Sequence, residues 1–416
     1  MKRATVFFIF LILWNISWSQ FTLDGQIRPR FEFRDGYRHM PSPDSKPAAQ
    51  FNQRTRLNLT YIADSRVSTR ISLQDVRIWG QDLQLNHQPS FDLYEAWLQL
   101  ELSSSWKMKA GRQELRYDNQ RLLAINDWAL TGRTHDALVF QYEGENNARL
   151  HVGAALNQSQ NRLFETHYGL NHYKTLNYLW YNRRISSSTT ASLLAIADGY
   201  EQPDDPDILH VRGTWSAFLH TTPNIYSITL NPAYQHGKTR TGQNISAWFL
   251  TIEAAAQLTE AYSTILGFEL FSGHDGVNPG DNYTAFSDLY GVGHARQGYM
   301  DYFTTFPAHT LGAGLINPYF KNTWRISDRS VFNADLHLFY IQNDYPDPVM
   351  PGQSIDHYLG TEIDLMLSYR YNDFTRIMFG YSVMFGTESM EVISGGSKDE
   401  FAQWAFVMIR MTPRFL

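Results

Sequence analysis

The sequence predicts an all-β protein, a transmembrane antiparallel up-and-down β-barrel of about eighteen strands with a wet, charged interior. Strands with one apolar and one charged face, connections that alternate between long and short, and an aromatic content of 15% predict it. Residues 21–33 show the strand pattern best, since Phe, Leu, Ile and Phe alternate with Asp, Gln, Arg, Arg and Glu. Because successive strand side chains point to opposite faces, this segment has an apolar wall and a charged wall.

The same pattern returns along the chain without a domain break. We predict strands near 21–34, 51–62, 66–78, 91–102, 106–115, 136–143, 148–157, 172–183, 189–198, 208–219, 225–236, 245–258, 261–271, 310–321, 331–342, 357–370, 374–386 and 401–412. The first connections run long at 35–50, short at 63–65, long at 80–90 and short at 103–105. Outer-membrane barrels have such long extracellular loops and short periplasmic turns.

Composition separates the membrane classes. After residue 19, no apolar run approaches the roughly eighteen residues of a helical span, which excludes a helical membrane protein. The chain has 24 Tyr, 26 Phe and 11 Trp, as expected where aromatic rings form girdles at both membrane interfaces. A soluble sandwich or propeller also has many short strands, but aromatic strand ends, the strand count and the C-terminal strand favour the barrel.

Residues 1–19 are predicted to be a cleaved secretory signal. Residues 20–416 are predicted to form one barrel domain. Lys2 and Arg3 precede the short apolar run 5–16, and small residues precede Gln20. A retained anchor is the alternative. The absence of Cys excludes a lipid-anchored lipoprotein, disulfides and thiol chemistry, and a net charge of −6 without a basic domain gives no reason to expect nucleic acid as a partner.

The C-terminus, residues 404–416, is an amphipathic strand with a penultimate aromatic residue, Phe415. It is similar to the insertion signal of outer-membrane barrels, whose strands commonly end on an aromatic residue. We therefore expect the barrel-assembly machinery, outer-membrane lipid and lipopolysaccharide as partners, location in the outer membrane of a Gram-negative bacterium, and a monomer.

Arginines and acids on the polar strand faces are the candidate pore-lining residues. The wall is basic in the first third of the chain and mixed to acidic later, where Glu253 and Asp335 also face the lumen. Arg112 also faces the lumen if its strand keeps the same register as its neighbours. The pore-lining candidates are Arg28, Arg30, Arg54, Arg56, Arg70, Arg112, Glu362, Asp364, Arg376 and Arg410. The charges of such walls create a field that selects or orients charged solutes. Alternatively, the arginines and acids pair with each other across the lumen and fill it.

Two stretches carry a family resemblance. Residues 110–138 contain GRQ, RLL and RTHDA segments in order, and residues 271–303 contain FSGHDG, FSDLY and GYMDYF. Both resemble the alginate-export family of outer-membrane barrels. The motif residues of the first stretch are Arg116, Arg121, Arg133, His135 and Asp136. The resemblance implies an eighteen-stranded conduit for anionic polysaccharide of the alginate type, with an arginine-lined constriction.

The long extracellular loop predicted at 272–309 is rich in Gly and aromatic residues. Long ordered loops of barrels often fold inward. We therefore expect this loop to be folded and to cap or plug part of the lumen.

The sequence gives little support for an enzymatic site or a metal site. His135–Asp136, His274–Asp275 and the pair His294 and Asp301 could form acid–base sites, but no serine lies in a G-x-S-x-G context. The acidic loops 201–207 and 275–282 do not match a calcium loop. We expect no enzyme activity, no cofactor and no metal.

The sequence thus favours a channel for anionic solutes, above all anionic oligosaccharide. A general or phosphate-type porin, usually a sixteen-stranded trimer, is one alternative. A non-conducting barrel that serves as a surface binding or structural protein is the other.

Overall fold

The computed structural model describes residues 20–82, 90–168 and 172–416, and eighteen strands within them form one closed antiparallel sheet. Consecutive strands pair with each other, and β1 also pairs with β18, which closes the barrel. The predicted signal peptide, residues 1–19, lies outside the described residues. The strands are β1 Phe21–Asp35, β2 Ala48–Ile62, β3 Val67–Ile78, β4 Phe91–Glu101, β5 Trp106–Gln113, β6 His135–Glu143, β7 Arg149–Leu156, β8 Thr175–Arg184, β9 Thr189–Glu201, β10 Leu209–Thr221, β11 Tyr226–Lys238, β12 Asn244–Thr259, β13 Tyr262–Phe271, β14 Leu315–Arg325, β15 Ser330–Tyr340, β16 Tyr358–Asn372, β17 Thr375–Gly386 and β18 Ala402–Met411.

The barrel has a long-loop end and a short-turn end, as the alternating connections predict. Short turns such as 63–66 and 102–105 lie at the end where β1 begins and β18 finishes. There the tail after β18 returns to β1, since Phe415 N donates to the Leu23 carbonyl at 2.7 Å. By the usual orientation of such barrels, the short-turn end faces the periplasm.

The two faces of the wall differ as the sequence pattern predicts. In β11, Ile228 and Tyr234 are exposed on the outer face, whereas Asn231 and Gln235 are buried on the inner face. Exposed apolar side chains recur on the outer face of most other strands. An outward apolar surface of this kind is stable against lipid hydrocarbon.

Most strand boundaries match the predictions within a few residues, but the fourteenth strand does not. We predicted it at 310–321, and the structure places it at Leu315–Arg325. The residues before it form a 3₁₀ turn at Ala308–Thr310 and then adopt left-handed conformations at Leu311 and Gly312, which a strand does not permit. The preceding loop therefore covers 272–314 rather than 272–309.

Helical structure is minor. A seven-residue helix, α1, covers Glu388–Ser394 between β17 and β18, and a second 3₁₀ turn covers Glu145–Asn147. No helix in the described part of the chain is long and apolar enough to cross a membrane.

Two long-loop segments fold into the barrel and contact each other, and we call them together the inner body (residues 114–134 and 272–314). Ala124 N donates to the Tyr290 carbonyl, and Tyr290 N donates to the Leu122 carbonyl, both at 3.0 Å. The prediction of a folded inward loop at 272–309 is consistent with this arrangement, whereas the inward fold of 114–134 was not predicted.

The inner body has an apolar core shared with the barrel wall. Phe306 stacks on Phe271 of β13 with ring centroids 3.8 Å apart, and Phe303 packs on Phe339 of β15 at 4.8 Å. Leu123 is fully buried in the same cluster. The expectation of a wet, charged interior is therefore wrong for this part of the lumen, because the inner body excludes water from inward apolar side chains.

Candidate functional site

Five arginines on neighbouring strands face the lumen, and we call them the arginine cluster: Arg28 and Arg30 on β1, Arg54 and Arg56 on β2, and Arg410 on β18. Their closeness follows from register, because Arg28 lies directly opposite Arg54 and β18 flanks β1 on its other side. Arg28 and Arg54 are 2% and 0% exposed. Buried guanidinium groups require partners, since an unpaired buried charge is very costly.

A carboxylate of the inner body supplies the main partner. Nitrogen atoms of Arg54, Arg410, Arg56 and Arg28 lie 2.5, 3.5, 3.8 and 4.0 Å from oxygen atoms of Asp127. Burial alone would raise the pKa of Asp127, but Arg54 and Arg28 outweigh it and hold this pKa below its ordinary value. Asp127 therefore stays ionised and fixes segment 114–134 to the basic wall.

Backbone carbonyl groups complete the contact. Arg28, Arg54 and Arg56 donate to carbonyl oxygens of residues 127–131 at 2.5, 3.2 and 3.3 Å. Arg30 lies over the Trp128 ring, with its guanidinium carbon 4.2 Å from the ring centroid, and also pairs with Glu32 at 2.5 Å. The arginine cluster thus binds a row of hydrogen-bond acceptor oxygens. An anionic chain presents a similar row of oxygen atoms.

The acidic wall binds donors of the other inner segment. Glu362 and Asp364 of β16 accept the N–H groups of Met300 and Tyr299 at 2.8 and 3.3 Å. Glu269 of β13 accepts from the Gln297 side chain at 2.6 Å. The predicted pore-lining acids therefore face inward as expected, and the inner body covers them.

The motif residues of the first stretch have different surroundings. Arg121 pairs with Glu269 of β13 and so joins segment 114–134 to the wall. Arg133 donates to the Gly291 carbonyl at 2.8 Å and so joins the two segments of the inner body to each other. His135 is buried at the start of β6 and contacts the Tyr173 hydroxyl at 2.8 Å. Arg116 is exposed.

Arg112 does not face the lumen, so the conditional prediction for this residue is wrong. In β5 the inward positions are odd, as the buried Gln113 shows, and Arg112 lies opposite the outward Ala96. It pairs with Asp136, whose strand neighbours on that face, such as Leu138, are exposed. The alternation within β5 accounts for this orientation, since Lys107, Lys109 and Gln113 hold inward positions and Met108, Ala110 and Arg112 hold outward ones.

The remaining candidates lie nearer the short-turn end. Arg70 of β3 pairs with Glu95 at 3.0 Å and with Asp24 at 3.8 Å. Arg376 of β17 lies directly opposite Arg410, on the inward face, and is exposed. The structure thus gathers Arg28, Arg30, Arg54, Arg56 and Arg410 at one site and leaves Arg70 and Arg376 outside it.

The sequence reading missed Asp127 as a site residue. An acid inside the largely apolar stretch 121–130 was the available signal, because a carboxylate among apolar neighbours needs a cation partner. It also missed the inward aromatic residues of β18, Trp404 and Phe406, both buried. Their signal was the nearly continuous apolar run 404–409, which is typical of a strand buried on both faces.

A buried acid network joins the loop 272–314 to the loop after β1. His294 Nδ1 lies 2.6 Å from Asp301 Oδ1, the Tyr37 hydroxyl donates to Asp301 Oδ2 at 2.5 Å, and Arg38 lies 3.5 Å from the same carboxylate. Burial would raise the pKa of Asp301, but His294, Tyr37 and Arg38 together hold it below its ordinary value. His294 and Asp301 thus do meet, within loop 272–314 and at its contact with the loop after β1.

Acid is expected to loosen this contact. A carboxyl group whose pKa is lower in the folded state stabilises that state above its unfolded pKa of about 3.9 and loses this contribution as the pH falls through the folded value. Single-channel conductance should therefore stay constant from pH 7 to about 4 and rise as the pH falls further. Asp301→Asn should show the raised conductance already at pH 7, and a wild-type conductance that stays constant down to pH 3 contradicts the prediction.

The described residues contain no group of three or more His, Asp or Glu side chains that could hold a metal ion. The charged side chains of the arginine cluster and of the acidic wall instead contact each other and the inner body. Recognition of a charged chain by arginines is the chemistry that this site can perform.

Comparison with known proteins agrees with the fold. A family described as "Alginate export" matches residues 19–391. No curated protein matches the sequence. Among solved structures, OccK9 (OpdG) of Pseudomonas aeruginosa has a TM-score of 0.66 at 11% identity and covers 95% of this chain and 99% of its own. OccAB4 of Acinetobacter baumannii has a TM-score of 0.64 at 10% identity, with 95% and 98% covered. The outer membrane protein OpdK of Pseudomonas aeruginosa has a TM-score of 0.62 at 11% identity, with 95% and 99% covered.

Proposed function

Since the chain belongs to the alginate export family of outer-membrane barrels, we propose that it passes anionic solutes, above all oligosaccharide or polysaccharide of the alginate type, along the arginine cluster. The family consists of transport barrels in the outer membrane of Gram-negative bacteria and not of enzymes. The proposal concerns the solute and the residues that bind it.

The convergence of the arginine cluster on one carboxylate carries this proposal. Four guanidinium groups lie within 4.0 Å of Asp127. A uronic acid residue bears the same charged group, and arginine binds carboxylates through a planar, bidentate arrangement of donors. The site is therefore suited to one carboxylate after another along an anionic chain.

Exchange of ligands at the cluster explains how the filled lumen could open. Segment 114–134 belongs to a loop whose Asp127 side chain is 29% exposed, so water reaches this carboxylate. When a solute carboxylate replaces Asp127, the buried guanidinium groups keep an anionic partner throughout. The exchange thus avoids the cost of an unpaired buried charge, which is about 3–5 kcal/mol.

Replacement of Arg54 and Arg56 by Gln is expected to weaken anion selectivity. In a salt gradient across a planar bilayer, the wild-type reversal potential should lie toward the chloride potential, and that of the double variant should lie closer to zero. Oligogalacturonate should block the variant at least tenfold more weakly, because two charge-assisted contacts are worth about 1.5–3 kcal/mol each.

Arg183→Gln is the matched control, since Arg183 lies on the outer face of β8, outside the lumen, and close to the short-turn end. It should leave both quantities unchanged. A wild-type channel without anion selectivity, or blocked equally by neutral maltodextrin, contradicts the proposed function.

A non-conducting surface barrel is the second candidate, and the packing of the inner body favours it. Leu123, Met300 and Phe303 are fully buried, so this part of the lumen is filled. The absence of any conductance in the wild-type protein, with or without oligogalacturonate, would support this candidate. The phosphate-type porin is not favoured, because such porins usually have sixteen strands.

A further inference from the structure

A second group of arginines lines the short-turn mouth, and we call them the rim arginines: Arg325, Arg329, Arg370 and Arg376. They surround a cavity of about 490 Å³ between the ends of β14, β15, β16 and β17. Arg370 and Arg376 continue the inward rows of their strands, and Arg329 lies in the turn between β14 and β15. The cavity therefore opens into the lumen and is not part of the lipid-facing surface.

The charge of this cavity is unbalanced. Four guanidinium groups and one carboxylate, Asp328, line it. Across the described ranges, none of the four arginines forms an ion pair, and Arg370 donates only to the Asp328 carbonyl, at 3.0 Å. The arginine cluster differs sharply, since four of its guanidinium groups lie within 4.0 Å of Asp127 and that of Arg30 pairs with Glu32. The rim arginines are thus available to a ligand.

Strand register places like charges side by side at this mouth. Arg370 lies directly opposite Arg376, which lies directly opposite Arg410. Like charges at opposite cross-strand positions destabilise a sheet, so folding stability gives no reason for this row. Arg410 reaches Asp127 at 3.5 Å, and the row therefore connects the mouth with the arginine cluster.

We propose that the rim arginines form a separate binding site for a chain with repeated oxyanion groups, carboxylate or sulfate, which engages the channel from the short-turn side. Guanidinium groups bind both oxyanions, and several spaced arginines favour a multivalent chain over a single anion. The cavity volume lies within the range of ligand pockets, about 300–1,000 Å³. This inference rests on the proposed function, because a chain bound at the rim must then continue into the lumen.

Sided block of single channels tests the site. The chain lacks Cys, so a single Leu163→Cys substitution at the long-loop end can be biotinylated and bound by streptavidin to assign orientation. Oligogalacturonate, a sulfated oligosaccharide or neutral maltodextrin is then added to one side at a time. In Arg370→Gln/Arg376→Gln, the on-rate of block by both anionic probes from the short-turn side should fall about tenfold, within the range of electrostatic steering.

Two variants sharpen the result. Arg184→Gln removes an arginine from another short turn, where it binds the carbonyl groups of Ser186 and Ser187, and should leave the on-rate unchanged. Asp328→Asn removes the acid of the cavity and should increase the on-rate from the short-turn side. Because these residues are exposed at strand ends, the variants are expected to fold.

The outcomes separate the two proposals. Wild-type block by anions with equal short-turn on-rates in wild type and Arg370→Gln/Arg376→Gln overturns the rim site and leaves the proposed function in place. A wild-type channel that neither anionic probe blocks from either side overturns both. A fall of the short-turn on-rate in Arg370→Gln/Arg376→Gln for the carboxylate probe alone, without block by sulfate, narrows the ligand to uronate-bearing chains and supports the site.

Discussion

Deletion of residues 276–300 is expected to raise single-channel conductance several-fold. The deletion removes Met300, whose N–H group binds Glu362, and Tyr290, which joins the two inner segments through both of its backbone groups. Segment 114–134 then loses its partner as well as part of its apolar core. A lumen enclosed by eighteen strands is wide enough to conduct once the inner body is displaced.

Deletion of residues 160–166 is the matched control. This long-loop segment is exposed, with Leu163 at 93% exposure, and its described contacts do not reach the inner body. Its removal should leave conductance unchanged. If deletion of 276–300 does not change conductance in a protein that still forms a heat-modifiable barrel, loop 272–314 does not restrict the pore.

Asp127→Asn is expected to open the channel more often and to tighten its binding of anionic oligosaccharide. Asparagine keeps the shape of the side chain but removes the charge that pairs with Arg54 and its neighbours. Loss of one partner of such a pair costs on the order of 3 kcal/mol, which shifts the docking equilibrium of segment 114–134 by about two orders of magnitude. Oligogalacturonate should then block at concentrations at least tenfold lower.

Asp118→Asn gives the corresponding control in the same segment. Asp118 accepts hydrogen bonds from Trp180 and Ser192 on a different part of the wall, at 3.0 and 2.5 Å. Its loss should also loosen the segment but should raise the affinity for the oligosaccharide much less than Asp127→Asn does, because Asp127 still competes at the arginine cluster. Equal affinities in wild type and Asp127→Asn show that the solute does not compete for the arginine cluster.

The strands and their faces were predictable because period two is a local property of the sequence. Glu362, Asp364 and the arginines of β1 and β2 lie on the inward face as the alternation requires. Arg112 was misassigned because its charge was given more weight than the alternation of its own strand, in which Lys107 and Lys109 lie inward and Met108 and Ala110 lie outward.

The partners of the inward charges were less predictable. The sequence shows a row of arginines, but Asp127 reaches Arg54 across 73 residues of chain. Such contacts depend on how loops fold inside a closed sheet, which neither periodicity nor turn signals describe. The family resemblance marked the stretch 110–138 as important, and the structure shows that this stretch supplies the shorter of the two inner-body segments.

The attachment of both inner segments to neighbouring strands has a kinetic consequence. Segment 114–134 is tied at both ends to β5 and β6, so Asp127 stays close to the arginine cluster even after release. A tethered group of this kind competes at an effective concentration of the order of millimolar. A single free carboxylate therefore competes poorly at ordinary concentrations. A polymer with many linked carboxylates competes better, because its carboxylates are also present at a high effective concentration. If anionic chains bind the arginine cluster as proposed, the channel is therefore expected to respond to chain length as well as to charge.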